Sequence, residues 1–188
     1  KNILKKLNLS GQERYVVLRL VSWDASHDIG QKGFKIDTLN KLIAEIKNHA
    51  RVFISAENKI PKIFKKYQLS INPTEIHDML SFAELFIGEG ATMASECAIM
   101  GTPSIYINTL SAGTLEDQQQ RGTLYIFKSS NGLIEKTKEI LTNPKVKKET
   151  KQKSLDLFKN KIDVNDFFYW LISEYPKSIN NYKNNSSI

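Results

Sequence analysis

The chain has 188 residues, of which 40% are hydrophobic and 25% charged, and its formal net charge is +7. This length supports one well-packed core, and the composition excludes a disordered chain, a collagen-like repeat and a disulfide scaffold. The single cysteine, Cys97, cannot form an internal disulfide, so the composition favours a reducing compartment, and we expect a cytoplasmic protein.

Short apolar runs alternate with helical patterns through the first half of the chain, which is typical of a parallel sheet covered by helices. The predicted elements of this half are, in chain order, a strand at 15–21, a helix at 36–46, a strand at 51–55, a short helix at 61–67, an edge strand at 69–71 and a helix at 76–82. A polar loop is predicted between the first strand and the first helix.

The second half continues the alternation and then becomes helical. Its predicted elements are a strand at 84–88, a helix at 90–100, strands at 104–107 and 123–127, and helices at 133–141, 146–159 and 164–175. Gly101 suits a left-handed helix cap, and residues 108–122 read as a polar loop. We therefore predict a doubly wound, Rossmann-like α/β domain over residues 1–175, with extra C-terminal helices and a polar frayed tail at 176–188.

The segment Ile87-Gly88-Glu89-Gly90-Ala91-Thr92-Met93-Ala94-Ser95-Glu96 combines a strand end, a small-residue turn and a helix start. The first N–H groups of a helix lack partners and carry partial positive charge, so Gly90, Ala91 and Thr92 can hold a diphosphate. Glu96 follows Thr92 by one turn, about 6 Å along the axis. Its carboxylate suits the vicinal hydroxyls of a ribose. A tight turn, a helix cap and a solvated acid are the structural alternative.

The stretch "FAELFIGEGATMASECAIMGTPSIYI" resembles the carboxy-terminal half of GT-B glycosyltransferases and of the related non-hydrolysing UDP-N-acetylglucosamine 2-epimerases. It is most similar to an uncharacterised family of predicted GT-B proteins. It is also similar to the transferase that adds N-acetylglucosamine to the lipid-linked peptidoglycan precursor. The resemblance implies a donor-binding half in which Glu96 binds ribose, Gly90–Thr92 hold the diphosphate, and backbone groups at Ile76 read the uracil edge.

Two further groups follow from this resemblance. Glu116-Asp117-Gln118-Gln119-Gln120 resembles a stretch that contacts the donor sugar in the peptidoglycan enzyme, so Asp117, Gln118, Gln119 and Gln120 are donor-sugar candidates; a polar surface loop is the alternative. His77 is a candidate for lining the site because it follows Ile76. No histidine has the spacing of a metal ligand, and we expect neither a metal nor another cofactor.

The sequence departs from the family pattern at two places. Glu89 and Gly90 replace an aspartate-serine pair, and an acid there must point away from a diphosphate. The loop after the first strand is not of the Gly-Gly-Ser type, although ligands of open α/β sheets bind at this end. Arg19, Ser22 and His27 are therefore phosphate candidates. A charge inside an apolar strand needs an anionic partner, and Asp24 or Asp28 could provide it for Arg19.

The predicted function is UDP-sugar binding by one half of a metal-independent glycosyltransferase, inactive without an amino-terminal acceptor domain that we expect to be missing from this chain. Half of an epimerase-like enzyme and a noncatalytic nucleotide-binding module are the alternatives.

Nucleic acid is not an expected partner. Residues 144–188 carry nine lysines and five acids, so much of the positive charge is a C-terminal property without an arginine-rich cluster. No apolar run approaches the ~20 residues that cross a bilayer, so we expect no transmembrane segment, and peripheral membrane contact stays open.

Overall fold

The computed structural model describes residues 2–10, 13–21, 34–57, 59–110, 112–159 and 161–184. Its centre is a five-stranded parallel sheet with the strand order β2-β1-β3-β4-β5. The strands are β1 (Tyr15–Leu20), β2 (Arg51–Ala56), β3 (Leu85–Gly88), β4 (Ser104–Ile107) and β5 (Leu124–Phe127). The strand order reverses between β1 and β3, which confirms the predicted doubly wound α/β fold and creates a switch point at their carboxyl ends.

Helices cover both faces of this sheet. The helices of the first face are α1 (Asn2–Lys6), α3 (Ile76–Phe82), α4 (Ala91–Met100) and α5 (Gly113–Gln120). The helices of the second face are α2 (Ile36–Lys47) and α6 (Leu133–Thr142). Successive strand residues point to opposite faces, so Val17 and Phe86 pack under α3 and α4, whereas Val16 and Leu18 pack under α2.

Helix α4 has the predicted bounds because its two ends are encoded locally. It begins after Gly90 and ends at Gly101, whose φ of 79° is the left-handed conformation that favours glycine. Its inner surface consists of small residues, Ala94, Cys97 and Ala98, which allow the helix to lie close to β3 and β4. The position of its first turn is therefore fixed by packing along its whole length.

The structure corrects three sequence predictions in the sheet region. Residues 69–71 form no strand; the nearest pairing is a single bridge between Ile54 and Gln68, because the preceding 3₁₀ helix Lys62–Tyr67 leaves only a short contact with β2. The predicted loop at 108–122 contains α5, whose only large apolar residue is the buried Leu115. One buried leucine gives no visible helical period. The N-terminal helix α1 was not predicted either.

The chain divides into two compact units, Lys1–Leu155 and Asp156–Ile188, and the boundary precedes the predicted domain end at residue 175. Helix α7 (Val146–Phe158) passes through this boundary, and α8 (Val164–Ser173) and α9 (Lys177–Asn184) belong to the second unit. The predicted frayed tail is corrected over Lys177–Asn184. This segment is helical because Ser178 is buried and donates to the carbonyl of Leu171 at 2.7 Å, while Tyr182 packs on Phe167.

None of the helices in the described part of the chain combines the length and apolar character needed to span a bilayer.

Candidate functional site

The first turn of α4 lies at the carboxyl end of β3, next to the switch point of the sheet. Gly90 precedes the helix in an extended conformation, and within the described residues no side chain forms a capping hydrogen bond there. The first backbone N–H groups of α4, from Ala91 onward, therefore end at the surface of the sheet's carboxyl edge. Together with the helix dipole they favour an anion at this position.

The two glycines before α4 serve different purposes. A Cβ at Gly88 would lie 2.5 Å from the Phe86 ring, so this glycine is required by packing. Among the described residues, a Cβ at Gly90 would come within 4 Å of the Cγ1 atom of Val21 alone, at 3.4 Å, and the φ of −90° suits any residue. The described residues therefore leave room for a ligand to approach the backbone at Gly90.

Glu89 lies between these glycines, and its carboxylate is turned into the protein. The residue is 4% exposed, and its oxygens accept hydrogen bonds from the backbone N–H groups of Val21 at 3.1 Å and Phe34 at 2.5 Å. Its backbone carbonyl accepts a bond from the Asn108 side chain at 3.1 Å. Glu89 thus contacts the residues that follow β1 and precede α2, and also the residue that follows β4. Its carboxylate is engaged by these backbone groups and points away from the start of α4.

Glu96 is accessible on the surface of α4, one turn beyond Thr92. Its side chain is 39% exposed, and Oε2 lies 3.2 Å from Nε2 of His77, whose side chain is 59% exposed. The structure therefore brings together two candidate residues from different helices, α4 and α3. Glu96, the predicted ligand of the ribose, is therefore partly open to solvent in the described part of the chain.

A cavity of about 400 Å³ opens over the carboxyl ends of β1 and β2, on the face of the sheet that α3 and α4 cover. Its lining is mostly apolar and includes Ile76 and Met93, and Arg19 and Ser55 supply its polar groups. Met93 belongs to the first turn of α4, so the cavity adjoins the anion-favouring helix start. The backbone N–H of Ile76 donates to the carbonyl of Pro73 and is not free to read a base.

Arg19 projects from β1 into this cavity, in lateral register with Ser55 of β2 and Gly88 of β3. Its guanidinium donates to the Ser55 hydroxyl at 2.8 Å and to the Glu57 carboxylate at 2.6 Å. Arg19 has an anionic partner, as predicted, and Glu57 provides it. The two acids that the sequence suggested, Asp24 and Asp28, lie outside the described residues. Sequence reasoning missed Ser55 and Glu57, although their place at the end of β2 could have indicated them.

The predicted donor-sugar residues on α5 are engaged in structural contacts. Gln118 is 5% exposed; its amide nitrogen donates to Oγ of Ser95 at 2.8 Å and ties α5 to α4. The Asp117 carboxylate accepts a bond from Arg121 at 2.8 Å, and Gln119 accepts one from the N–H of Ile126 at 2.9 Å. Gln120 is exposed. The structure therefore does not bring the four side chains together around one point.

The phosphate candidates Ser22 and His27 lie outside the described residues. Among the described residues, no group of three or more His, Cys, Asp or Glu side chains is placed to hold a metal ion. Burial raises the pKa of the Cys97 thiol, and the neighbouring Glu96 charge raises it further. This thiol therefore stays protonated and makes no nucleophile for the site.

The chain shares its α/β fold with part of several solved structures. One is UDP-GlcNAc 2-epimerase from Neisseria meningitidis bound to UDP-GlcNAc, with a TM-score of 0.57, 9% identity and coverage of 83% of this chain and 46% of that one. A second is a variant of the wall teichoic acid polymerase TagF soaked with CDPG, with a TM-score of 0.56, 13% identity and coverage of 84% and 41%. These likenesses establish the fold.

A third is the glycosyltransferase of kitacinnamycin, with a TM-score of 0.52, 11% identity and coverage of 79% of this chain and 40% of that one. The chain spans less than half the length of each of these three neighbours.

The sequence itself identifies a family. The chain belongs to the family described as "Protein of unknown function (DUF354)", whose model matches residues 1–163. Comparison with curated proteins finds no match.

Proposed function

We propose that the site binds a nucleoside diphosphate sugar, with a UDP-sugar as the first candidate, and forms the donor-binding part of a metal-independent glycosyltransferase. One observation carries the proposal. The uncapped start of α4 lies at the switch point, one turn before an accessible Glu96 and beside a mostly apolar cavity. Ligands of open α/β sheets bind at this kind of position.

Each part of a nucleotide has a matching surface. The diphosphate would accept hydrogen bonds from the N–H groups of Ala91 and Thr92, and the open space at Gly90 admits its oxygens. Glu96, about 6 Å further along the helix, would accept bonds from the ribose hydroxyls. The cavity lined by Ile76 and Met93 has the apolar walls that a planar base requires.

The chemistry proposed for the complete enzyme is stabilisation of the leaving group. When the bond between sugar and diphosphate breaks, negative charge grows on the diphosphate, and fixed backbone dipoles stabilise that charge. Arg19 contributes less than its charge suggests, because Glu57 already compensates it. Transfer also needs an acceptor site and a general base. We therefore expect residues 1–188 alone to bind the nucleotide without turning it over.

A second candidate is an epimerase-like enzyme, which eliminates the same leaving group. It is supported by the likeness to the UDP-GlcNAc 2-epimerase, and it would use the same donor site. A noncatalytic nucleotide-binding module is the third candidate. Assays of the full-length protein separate the three candidates. Release of free UDP in the presence of an acceptor indicates a transferase, and formation of 2-epimerised sugar indicates an epimerase-like enzyme. Binding without either product indicates a noncatalytic module.

Calorimetric titration of the chain with UDP, UDP-GlcNAc, GDP and CDP tests the proposal directly. We expect UDP to bind, and CDP is included because the TagF neighbour was soaked with CDPG. Titrations in EDTA and in Mg²⁺ should give the same affinity, since backbone N–H groups rather than a cation would hold the diphosphate. Absence of binding to all four ligands would overturn the proposal.

The Glu96→Ala variant tests the ribose contact. Hydrogen bonds to a charged acceptor contribute about 1.5 to 3 kcal/mol, so UDP affinity should fall about tenfold to hundredfold. The affinity for 2′,3′-dideoxy-UDP, which lacks both hydroxyls, should not change. Glu135→Ala, which removes an exposed acid from α6 on the opposite face, is the control and should bind UDP normally. Equal losses for both ligands would contradict a hydroxyl contact.

A further inference from the structure

We propose that His77 is a positioning residue, which holds the Glu96 carboxylate in the orientation that the ribose hydroxyls require. This inference rests on the proposed function and adds the residue that sets its selectivity for a ribonucleotide. It starts from the contact between Nε2 of His77 and Oε2 of Glu96, which lie 3.2 Å apart.

The pair joins two helices that are each fixed by the core. Helix α3 buries Met79 and Leu80, and the Leu80 carbonyl accepts a hydrogen bond from Thr102 at 2.9 Å. Helix α4 buries its small residues against the sheet. The two side chains therefore extend from rigid supports toward the same point, and their contact restricts rotation of Glu96 without restricting access to it.

The acid that precedes helix α3 is already engaged. Glu75, two residues before His77, pairs with Lys6 of α1, and this hydrogen bond lowers the pKa of Glu75. Glu75 thus pairs with Lys6, and His77 contacts Glu96 instead. The arrangement directs the imidazole across the gap between the helices rather than back along its own segment.

The carboxylate of Glu96 retains acceptor positions for a ligand. A carboxylate has two oxygens and about four lone-pair sites, and Nε2 of His77 lies against only one of the oxygens, Oε2. Oε1 and the remaining site on Oε2 can receive two adjacent hydroxyls. A free glutamate loses about 1.5 to 2 kcal/mol of rotamer freedom when it is ordered. His77 removes part of this loss before the ligand arrives, although an exposed pair contributes little to the stability of the fold.

Calorimetry with UDP and 2′,3′-dideoxy-UDP on four proteins tests the inference: wild type, His77→Ala, Glu96→Ala and the double variant. We expect His77→Ala to weaken UDP binding about threefold to fivefold, the scale of one exposed contact between polar side chains. The affinity for dideoxy-UDP should be unchanged. The double variant should bind UDP as Glu96→Ala does, because His77 acts only through Glu96.

Two further variants separate positioning from a general effect. His77→Gln retains an N–H donor and should restore most of the lost UDP affinity. His49→Ala removes a matched pair, in which His49 lies 3.0 Å from Glu45 on α2, and should leave UDP binding unchanged. Thermal unfolding of each variant confirms that the exposed substitutions leave the fold intact.

Three results would overturn the inference while the proposed function stands. They are unchanged UDP affinity in His77→Ala, equal losses for UDP and dideoxy-UDP, and a further loss in the double variant. Wild-type protein that binds no nucleotide would overturn both.

Discussion

Tyr15, at the start of β1, carries its hydroxyl into the apolar core and donates it to the carbonyl of Met79. The side chain is 1% exposed and packs edge-on against Phe53, with ring centroids 5.7 Å apart. Burial disfavours the charged phenolate and raises the pKa of Tyr15 well above its ordinary value. The neutral hydroxyl is thus part of the core, where it donates a hydrogen bond to the backbone carbonyl of Met79.

This pKa shift predicts a loss of stability at alkaline pH. Between the ordinary tyrosine pKa of about 10 and the raised native value, the unfolded chain releases the proton and the native chain keeps it. Below that range, ionisation of Tyr15 should not change the free energy of unfolding. It should fall above pH 10 by up to about 1.4 kcal/mol per pH unit.

Urea unfolding of the wild type and of Tyr15→Phe from pH 7 to pH 11 measures the effect. The variant should lose about 1 to 3 kcal/mol at pH 7, because the Met79 carbonyl loses its donor. The difference between the two proteins should then shrink above pH 10. Parallel stability curves would show that the pKa of Tyr15 is the same in the native and unfolded states.

At the scale of an element, the two ends of α4 differ in their need for glycine. Its C-terminal glycine, Gly101, has positive φ, and a Cβ there would lie 2.8 Å from the Cα atom of Lys151. Its N-terminal glycine, Gly90, has an ordinary φ, and among the described residues a Cβ there would contact only Val21. Stability therefore requires glycine at the C-terminal end of the helix but not at the N-terminal end, where the proposed diphosphate contact would benefit from it.

Alanine substitutions at the two ends of α4 should destabilise the protein to different extents. Gly101→Ala should destabilise the protein by about 2 to 4 kcal/mol, through left-handed strain and collision with a backbone atom. Gly90→Ala should change the free energy of unfolding by no more than about 0.5 kcal/mol.

The two substitutions should affect UDP affinity in the reverse order, so that Gly90→Ala has the larger effect. The Gly90→Ala methyl group narrows the approach to the α4 amides, so UDP affinity should fall about tenfold, the effect of about 1.4 kcal/mol. Folded Gly101→Ala should bind UDP as the wild type does. Thermal unfolding and calorimetry measure the two effects, and normal UDP binding by Gly90→Ala would place the diphosphate elsewhere.

At the scale of the whole molecule, the first unit contains everything that the site requires. All five strands, both apolar clusters and helices α1 to α6 lie within Lys1–Leu155. The family match ends at residue 163, just before α8 begins at Val164. Helix α8 has no buried residue and exposes aromatic side chains such as Tyr169.

A chain of residues 1–159, which keeps α7 complete, should therefore fold and bind by itself. We expect a single cooperative thermal transition and the UDP affinity of the full chain, since the core and the site residues are retained. Circular dichroism and calorimetry measure these properties. A chain that lacks a cooperative transition would show that the core depends on residues 160–188.

Sequence reasoning recovered the elements whose signals are local. Apolar runs predicted the five strands, and Gly90 and Gly101 predicted the bounds of α4. It missed α5, because the polar segment has only Leu115 to bury and that residue gives no period. It also predicted a loop of sugar-binding side chains where Gln118 ties α5 to Ser95.

The sequence by itself determined the parallel α/β order, the helix start after Gly90 and the presence of an acid one turn beyond Thr92, because periodicity and glycine conformation act over a few neighbouring residues. Only the tertiary structure decided which side chains meet. It paired Arg19 with Glu57 and His77 with Glu96, and it turned Glu89 inward. Such contacts join residues distant in the chain, so they depend on how strands and helices pack, and no local pattern specifies them.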